Sequence, residues 1–212
     1  MISMTNISLL CLAYLMGSIP SAVWIGQLMY GIDVREYGSG NAGATNTFRV
    51  LGKKAGWPVL IIDILKGLLA VKLVWLSGKY LPGTQQYINF ELTLSIAALL
   101  GHIFPIFAGF RGGKGVATLL GILIAVHPGA ALVCAGIFVA TLLLTHYVSL
   151  SSMMAAFTFP VAIMFIYHET VPSLNIFSMF VCILVFITHQ KNIERLIRGE
   201  ESKVGFLSKK AR

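Results

Sequence analysis

Charge is what this sequence lacks. Only 11% of its 212 residues are Asp, Glu, Lys or Arg, against about 25% in an ordinary soluble domain. Those few are clustered, and none occurs over 1–32, 92–110, 115–168 or 170–190. A helix needs about 20 apolar residues to span a bilayer core, and these blocks are of that size. With 57% hydrophobic residues, the whole of 1–212 reads as a single integral membrane domain. No length is left over for a soluble catalytic domain.

Cysteine is scarce as well. Cys11, Cys134 and Cys182 stand singly in apolar segments without metal-ligand spacing, so they read as small buried hydrophobes. No metal site and no cofactor are expected. No Lys or Arg precedes the first apolar run, and that run outlasts the roughly 7–15 apolar residues of a secretory signal. It reads as a membrane helix. Internal repeats and low-complexity tracts are absent by inspection. The formal net charge of +8 reports membrane orientation here, and no nucleic acid is expected as a partner.

Hydropathy predicts helices over 6–28, 57–77, 91–109, 115–126, 129–146, 150–167 and 174–190. A single helix over 115–146 would be about 48 Å long, too long for a core of about 30 Å. His127-Pro128-Gly129 is the natural break. The helix over 115–126 must then be short and partly covered by protein. Seven helices with the C-terminus inside place Arg35, Arg49, Lys53, Lys54, Arg111, Lys114 and the seven Lys and Arg of the basic tail 191–212 in the cytoplasm, leaving Lys79 outside. Six helices would split the charges almost evenly. The expected class is therefore an all-α membrane protein of seven transmembrane helices, N-terminus outside and C-terminus cytoplasmic.

What the chain does have is glycine beside polar residues. The glycine-rich loop 31–56, cytoplasmic in this topology, contains Gly38-Ser-Gly-Asn-Ala-Gly-Ala-Thr-Asn46 and Arg49. Gly38, Gly40 and Gly43 match G-x-G-x-x-G by letter, but a dinucleotide site requires a preceding strand and a βαβ unit, and membrane helices flank this loop. Glycines still let successive N–H groups converge on an anion. Ser39, Asn41, Thr45 and Asn46 add neutral donors, and Arg49 adds a planar fork suited to phosphate. The alternative is a polar connector whose basic residues only set orientation.

A second segment, Gly109-Phe-Arg-Gly-Gly-Lys-Gly-Val-Ala-Thr118, departs from the P-loop pattern. Gly112, Gly113 and Gly115 nevertheless permit close backbone approach, with Lys114 as a point charge at the start of a short helix. A tight interhelical turn is the plainer reading. At the last helix end, His189 and Asn192 stand three residues apart, on one face if the helix continues. Asp63 and Lys66 share that spacing inside the second helix and read as a structural pair, and His102 reads as a bonded packing residue.

Together these segments resemble the PlsY family, the bacterial membrane acyl-phosphate:glycerol-3-phosphate acyltransferases. The resemblance rests on Gly17-Ser-Ile-Pro-Ser21, Gly38 through Arg49, Gly101-His102, Gly112 through Thr118, and His189 through Leu196. It covers almost the whole chain. It implies seven transmembrane helices, a multi-pass location in the bacterial plasma (inner) membrane, and an active site facing the cytoplasm. The implied reaction moves an acyl group from acyl phosphate to the sn-1 hydroxyl of glycerol 3-phosphate, giving 1-acylglycerol 3-phosphate (lysophosphatidic acid) and phosphate, the first step of phospholipid synthesis. The implied catalytic residues are Ser39, Arg49, Lys114, His189 and Asn192. Gly40, Asn41, Gly43, Thr45, Asn46, Gly112, Gly113 and Gly115 are the implied substrate-binding positions. Acyl phosphate, glycerol 3-phosphate and membrane lipid are the expected partners, with no obligate protein partner.

Acyl phosphate is a mixed anhydride with a good leaving group, so the chemistry calls mainly for positioning and charge stabilisation. Either His189 or the donor's own phosphate can take the hydroxyl proton, and the phosphate is favoured. The competing class is a small anion transporter. Transporters often show repeats and a midplane site, whereas these polar motifs gather at one face.

Overall fold

A computed structural model describes residues 4–204; the remainder of the expected basic tail, 205–212, lies outside the described residues. Every regular element among them is helical: α1 (Met4–Gly17), α2 (Ser21–Tyr30), α3 (Ala44–Leu51), α4 (Lys53–Lys72), α5 (Gln85–Ile103), α6 (Val116–Val126), α7 (Pro128–Thr145), α8 (Val148–Val161), α9 (Pro172–Thr188) and α10 (Gln190–Ile197), joined by short 3₁₀ or π turns. The chain divides at His127–Pro128 into two compact units. The break expected there is present.

Three stretches are long and apolar enough to cross a membrane: Gln85–Ala108, Pro128–Thr145 and Val148–Ile166. Counting the bent pairs α1–α2 (43°) and α9–α10 (60°) as one span each raises this to five. Helix α4 has the length but carries Lys53, Lys54, Asp63, Lys66 and Lys72. Helix α6 is apolar but has 11 residues, about 16 Å of helix.

The boundaries differ from the hydropathy reading in instructive places. The expected helix over 6–28 is two helices, because Pro20 lacks an N–H and its ring drives the residue before it out of the α region. The break leaves the Ile19 carbonyl outside any helical ladder, and Lys66 Nζ donates to it at 2.8 Å. The loop 31–56 contains the two-turn helix α3 and the first turn of α4. The last expected helix also bends, at His189, before α10.

In the first unit, α4 packs against α1, α2, α3, α5 and α6. Glycines set the closest crossings. A Cβ on Gly17 or Gly101 would overlap the backbone of the α5 or α1 partner, and one on Gly67 or Gly121 would overlap the α6 or α4 backbone. Lipid tails are as apolar as leucine, so such close packing is what holds membrane helices together. The short α6 is buried along Thr118, Leu119, Gly121, Ile122, Leu123 and Ala125. Its terminal carbonyls need partners outside the helix. Lys72 Nζ supplies one at 3.0 Å from Ala125 O, while standing 3.7 Å from Glu91. In the second unit, α8 packs on α7 and α9, and Phe159 meets Phe177 edge-on at 6.3 Å.

Candidate active site

Helix α3 is docked on α4 by Phe48, whose ring covers Gly56 and meets Trp57 edge-on at 5.5 Å. That face is set by sequence, and the other follows from it. Thr45 and Arg49, four residues apart, are exposed together on the outer side.

Ahead of α3, Asn46 organises the loop. Its side chain is buried, with Nδ2 donating to Val34 O at 2.8 Å and Tyr37 O at 3.1 Å. Oδ1 accepts from Ser39 N at 2.8 Å and Ser39 Oγ at 3.1 Å. An amide has two donor hydrogens and one acceptor oxygen with two lone pairs, so all four positions serve the loop. Asn46 thus presents Ser39, which is exposed with Gly40. Gly38 has φ +62°, and a side chain there would strike Asn46 Oδ1.

Arg35 ties this loop to the second glycine segment. Its Nη1 donates to Ala108 O at 2.7 Å and Arg111 O at 3.2 Å. Its Nε and Nη2 grip Asp33, with Nη2 to Oδ2 at 2.7 Å. The Arg35 hydrogen bond holds the Asp33 carboxyl below the usual range despite an opposing effect of burial. Sequence reading placed Arg35 only as an orientation charge. The Asp-x-Arg spacing was the available signal, but its long-range partners were not visible.

In the second segment, Gly112 N donates to Ile103 O at 3.1 Å and Gly113 N to His102 O at 3.2 Å. Those N–H groups turn inward to the end of α5. Other donors are left at the start of α6, where the first ladder bond runs from Leu119 N to Gly115 O. Val116, Ala117 and Thr118 N–H therefore have no acceptor within the helix. Helix α3 begins in the same way, with Thr47 N on Gly43 O at 3.1 Å. A Cβ on Gly113 would stand 3.2 Å from Ala42 O. The two helix starts are thus adjacent, two residues after Ala42 and three after Gly113. Each is the positive end of a helix dipole, suited to an anion. Lys114 is half-buried at this junction, and Asn41 and Gly43 are half-buried beside it.

In the second unit, His189 and Asn192 are buried at the α9–α10 bend. His189 Nδ1 lies 2.7 Å from Val185 O. A carbonyl only accepts, so Nδ1 carries the hydrogen and Nε2 is the acceptor in the neutral ring. Asn192 Nδ2 donates to Glu201 Oε1 at 2.7 Å. Ser149 Oγ and Arg195 Nε also donate to this carboxylate, each at 2.7 Å. Burial alone would raise the Glu201 pKa, but hydrogen bonds from Arg195, Ser149 and Asn192, with the Arg195 charge, hold it below the ordinary glutamate value. Glu201 escaped sequence reading because no periodicity links it to these partners.

Comparison with known proteins matches residues 7–199 to the glycerol-3-phosphate acyltransferase family. The chain belongs to this family, PlsY. A glycerol-3-phosphate acyltransferase of Enterococcus faecalis is 46% identical over 211 residues, covering 96% of this chain and 94% of the relative. One from Chlorobium phaeobacteroides is 39% identical over 230 residues, covering 96% and 98%. The crystal structure of PlsY, an integral membrane glycerol 3-phosphate acyltransferase, in its glycerol 3-phosphate form superposes with a TM-score of 0.85 at 35% identity, over 95% of this chain and 96% of that one. Its lysophosphatidic acid form gives 0.81. Glycerol-3-phosphate acyltransfer in a membrane is accordingly the activity of this PlsY-family chain.

Proposed function

We propose that the chain transfers the acyl group of acyl phosphate to the sn-1 hydroxyl of glycerol 3-phosphate, releasing lysophosphatidic acid and phosphate. The observation that carries this reading is the adjacency of the α3 and α6 starts at Ala42 and Gly113. Two dipole ends and the cations Arg49 and Lys114 suit a pair of phosphate-bearing substrates, whose mutual repulsion must be offset before they react. The solved PlsY structures are described as glycerol 3-phosphate and lysophosphatidic acid forms, and these correspond to substrate and product of this reaction.

In this reading Arg49 grips phosphate in two-point fashion, and Lys114 neutralises charge beside the α6 start. Ser39, Thr45 and Asn41 supply neutral donors, while Asn46, with Gly38, Gly40 and Gly43, shapes the loop. His189 and Asn192 of the second unit serve the same reaction. The hydroxyl oxygen forms the new ester bond as the bond from acyl carbon to phosphate oxygen breaks. The proton goes to the donor's phosphate. His189 Nδ1 is held by a neutral carbonyl, which supports an imidazolium less than a carboxylate would.

Helices α4 and α6 complete the proposed seven spans, with α1–α2 and α9–α10 each counted once. The N-terminus is then outside, and the loop 31–56 and the C-terminal tail lie in the cytoplasm of a bacterial inner membrane. The acyl chain stays in lipid while its phosphate reaches the glycine segments. Purified protein in detergent should make lysophosphatidic acid from acyl phosphate and glycerol 3-phosphate without any other protein. Robust turnover with acyl-CoA alone would overturn the donor assignment.

A further inference from the structure

Beneath the second glycine segment runs a chain of buried polar contacts. Lys66 Nζ lies 2.8 Å from both Ile19 O and Asp63 Oδ1. The same Asp63 oxygen accepts from Ser21 Oγ at 2.7 Å and stands 3.8 Å from His102 Nδ1. His102 Nδ1 is in turn 3.0 Å from Thr118 Oγ1, in the first turn of α6. Asp63 is 1% exposed and His102 5%. The chain ends at the glycines. A Cβ on Gly113 would collide with His102 Nε2 and stand 3.1 Å from Cε1, and one on Gly115 would stand 4.0 Å from Cδ2.

We infer that His102 is a positioning residue, the seat on which the Gly112–Gly115 backbone rests, and that it acts on the phosphate of glycerol 3-phosphate through that backbone. This rests on the proposed assignment of the glycine segment as a phosphate site. The imidazole occupies the space that any side chain at 113 would need. The His102 carbonyl accepts the Gly113 N–H at 3.2 Å, so ring and backbone hold the same residue from below. Thr118 clamps the ring to the first turn of α6, whose N–H groups have no acceptor within the helix, and Asp63, fixed by Lys66 and Ser21, backs it from α4. The loop and the start of α6 are therefore registered against one side chain. Preorganised donors stabilise charge only when held at hydrogen-bond distance, so displacing this seat weakens anion binding without touching the reacting atoms.

The test is steady-state kinetics on purified His102→Ala, His102→Asn, Gly113→Ala, Thr118→Val and the His102→Ala/Gly113→Ala double variant. His102→Ala should raise KM for glycerol 3-phosphate about tenfold and change kcat less than about threefold, the pattern of lost ground-state and transition-state binding together. His102→Asn keeps a polar group near the Nδ1 position and should recover part of the loss. Gly113→Ala should cost about fivefold less in the His102→Ala background than alone, because the ring it strikes is gone. Equal cost in both backgrounds, or an unchanged KM in His102→Ala, overturns the inference. If His102→Ala does not fold, Thr118→Val removes only the hydroxyl clamp, and an unchanged KM there overturns it as well. Lys114→Ala measured in parallel separates the two readings. A raised KM there with none in the His102 and Thr118 variants sinks His102 alone, and no effect in any of the three sinks the phosphate-site assignment.

Discussion

Arg35 Nη1 donates to the carbonyl oxygen of Ala108 at 2.7 Å, joining residues 73 apart in sequence. The bond makes a cation of the first loop into a clamp on the second glycine segment. Asp33 completes the clamp by fixing the other edge of the guanidinium.

Arg35→Lys is therefore expected to weaken the protein although it keeps the charge. A lysine cannot hold a carboxylate on one edge and two carbonyls on another. Losing a hydrogen bond to a charged group costs about 1.5–3 kcal/mol. A lower melting temperature in detergent and reduced turnover, partly restored by bound glycerol 3-phosphate, are the expected results. A melting curve identical to the parent would remove the clamp from the account.

Arg49 makes the contrasting prediction, since it lies exposed on α3. Arg49→Lys and Lys114→Ala should fold and elute like the parent yet lose about 10- to 150-fold in kcat/KM, the effect of one lost charge-assisted phosphate contact. Near-parental efficiency in both Arg49→Ala and Lys114→Ala would leave these cations with a role in membrane orientation only.

Asn46→Asp should be worse than its small change suggests. The amide donates to Val34 O and Tyr37 O, and a carboxylate would present oxygen to both carbonyls. Each buried group left without a partner costs about 1–3 kcal/mol. Thermal unfolding should show Asn46→Asp at least as destabilised as Asn46→Ala. A parental melting temperature in either would contradict the four-bond assignment.

Glu201 links the C-terminal segment to pH. Its folded pKa lies below the ordinary value of 4.5, so its contribution is complete above that value. It is lost as pH falls through the folded pKa. The segment should resist proteolysis from neutral pH down through the ordinary glutamate range and become labile only as pH falls below that range. Glu201→Gln should be labile at neutral pH. Equal protection of the variant and the parent at neutral pH would exclude this anchor.

Topology is testable by labelling. In a variant lacking Cys11, Cys134 and Cys182, cysteines placed at Tyr37 and Lys203 should both react from the cytoplasmic side alone. Labelling of position 37 from outside would refute the seven-span arrangement.

The sequence by itself determined the class and the family. Missing charge over membrane-sized blocks leaves little but helices, because hydrocarbon cannot satisfy a backbone that does not satisfy itself. The glycine segments, Arg49, Lys114, His189 and Asn192 were visible as letters for the same reason, as polar residues that an apolar chain has little cause to keep together. Only the tertiary structure decided which of them support others. Asn46 looks like a donor in sequence, but its four bonds close on its own loop. Gly112 and Gly113 N–H groups look free and turn inward. Arg35, Thr118 and Glu201 gain their partners from distant parts of their own units. Hydrogen bonding between segments depends on where helices bend and cross. Those bends and crossings are set by Pro20 and by backbone contacts at Gly17, Gly67, Gly101 and Gly121, whose distances no linear spacing encodes.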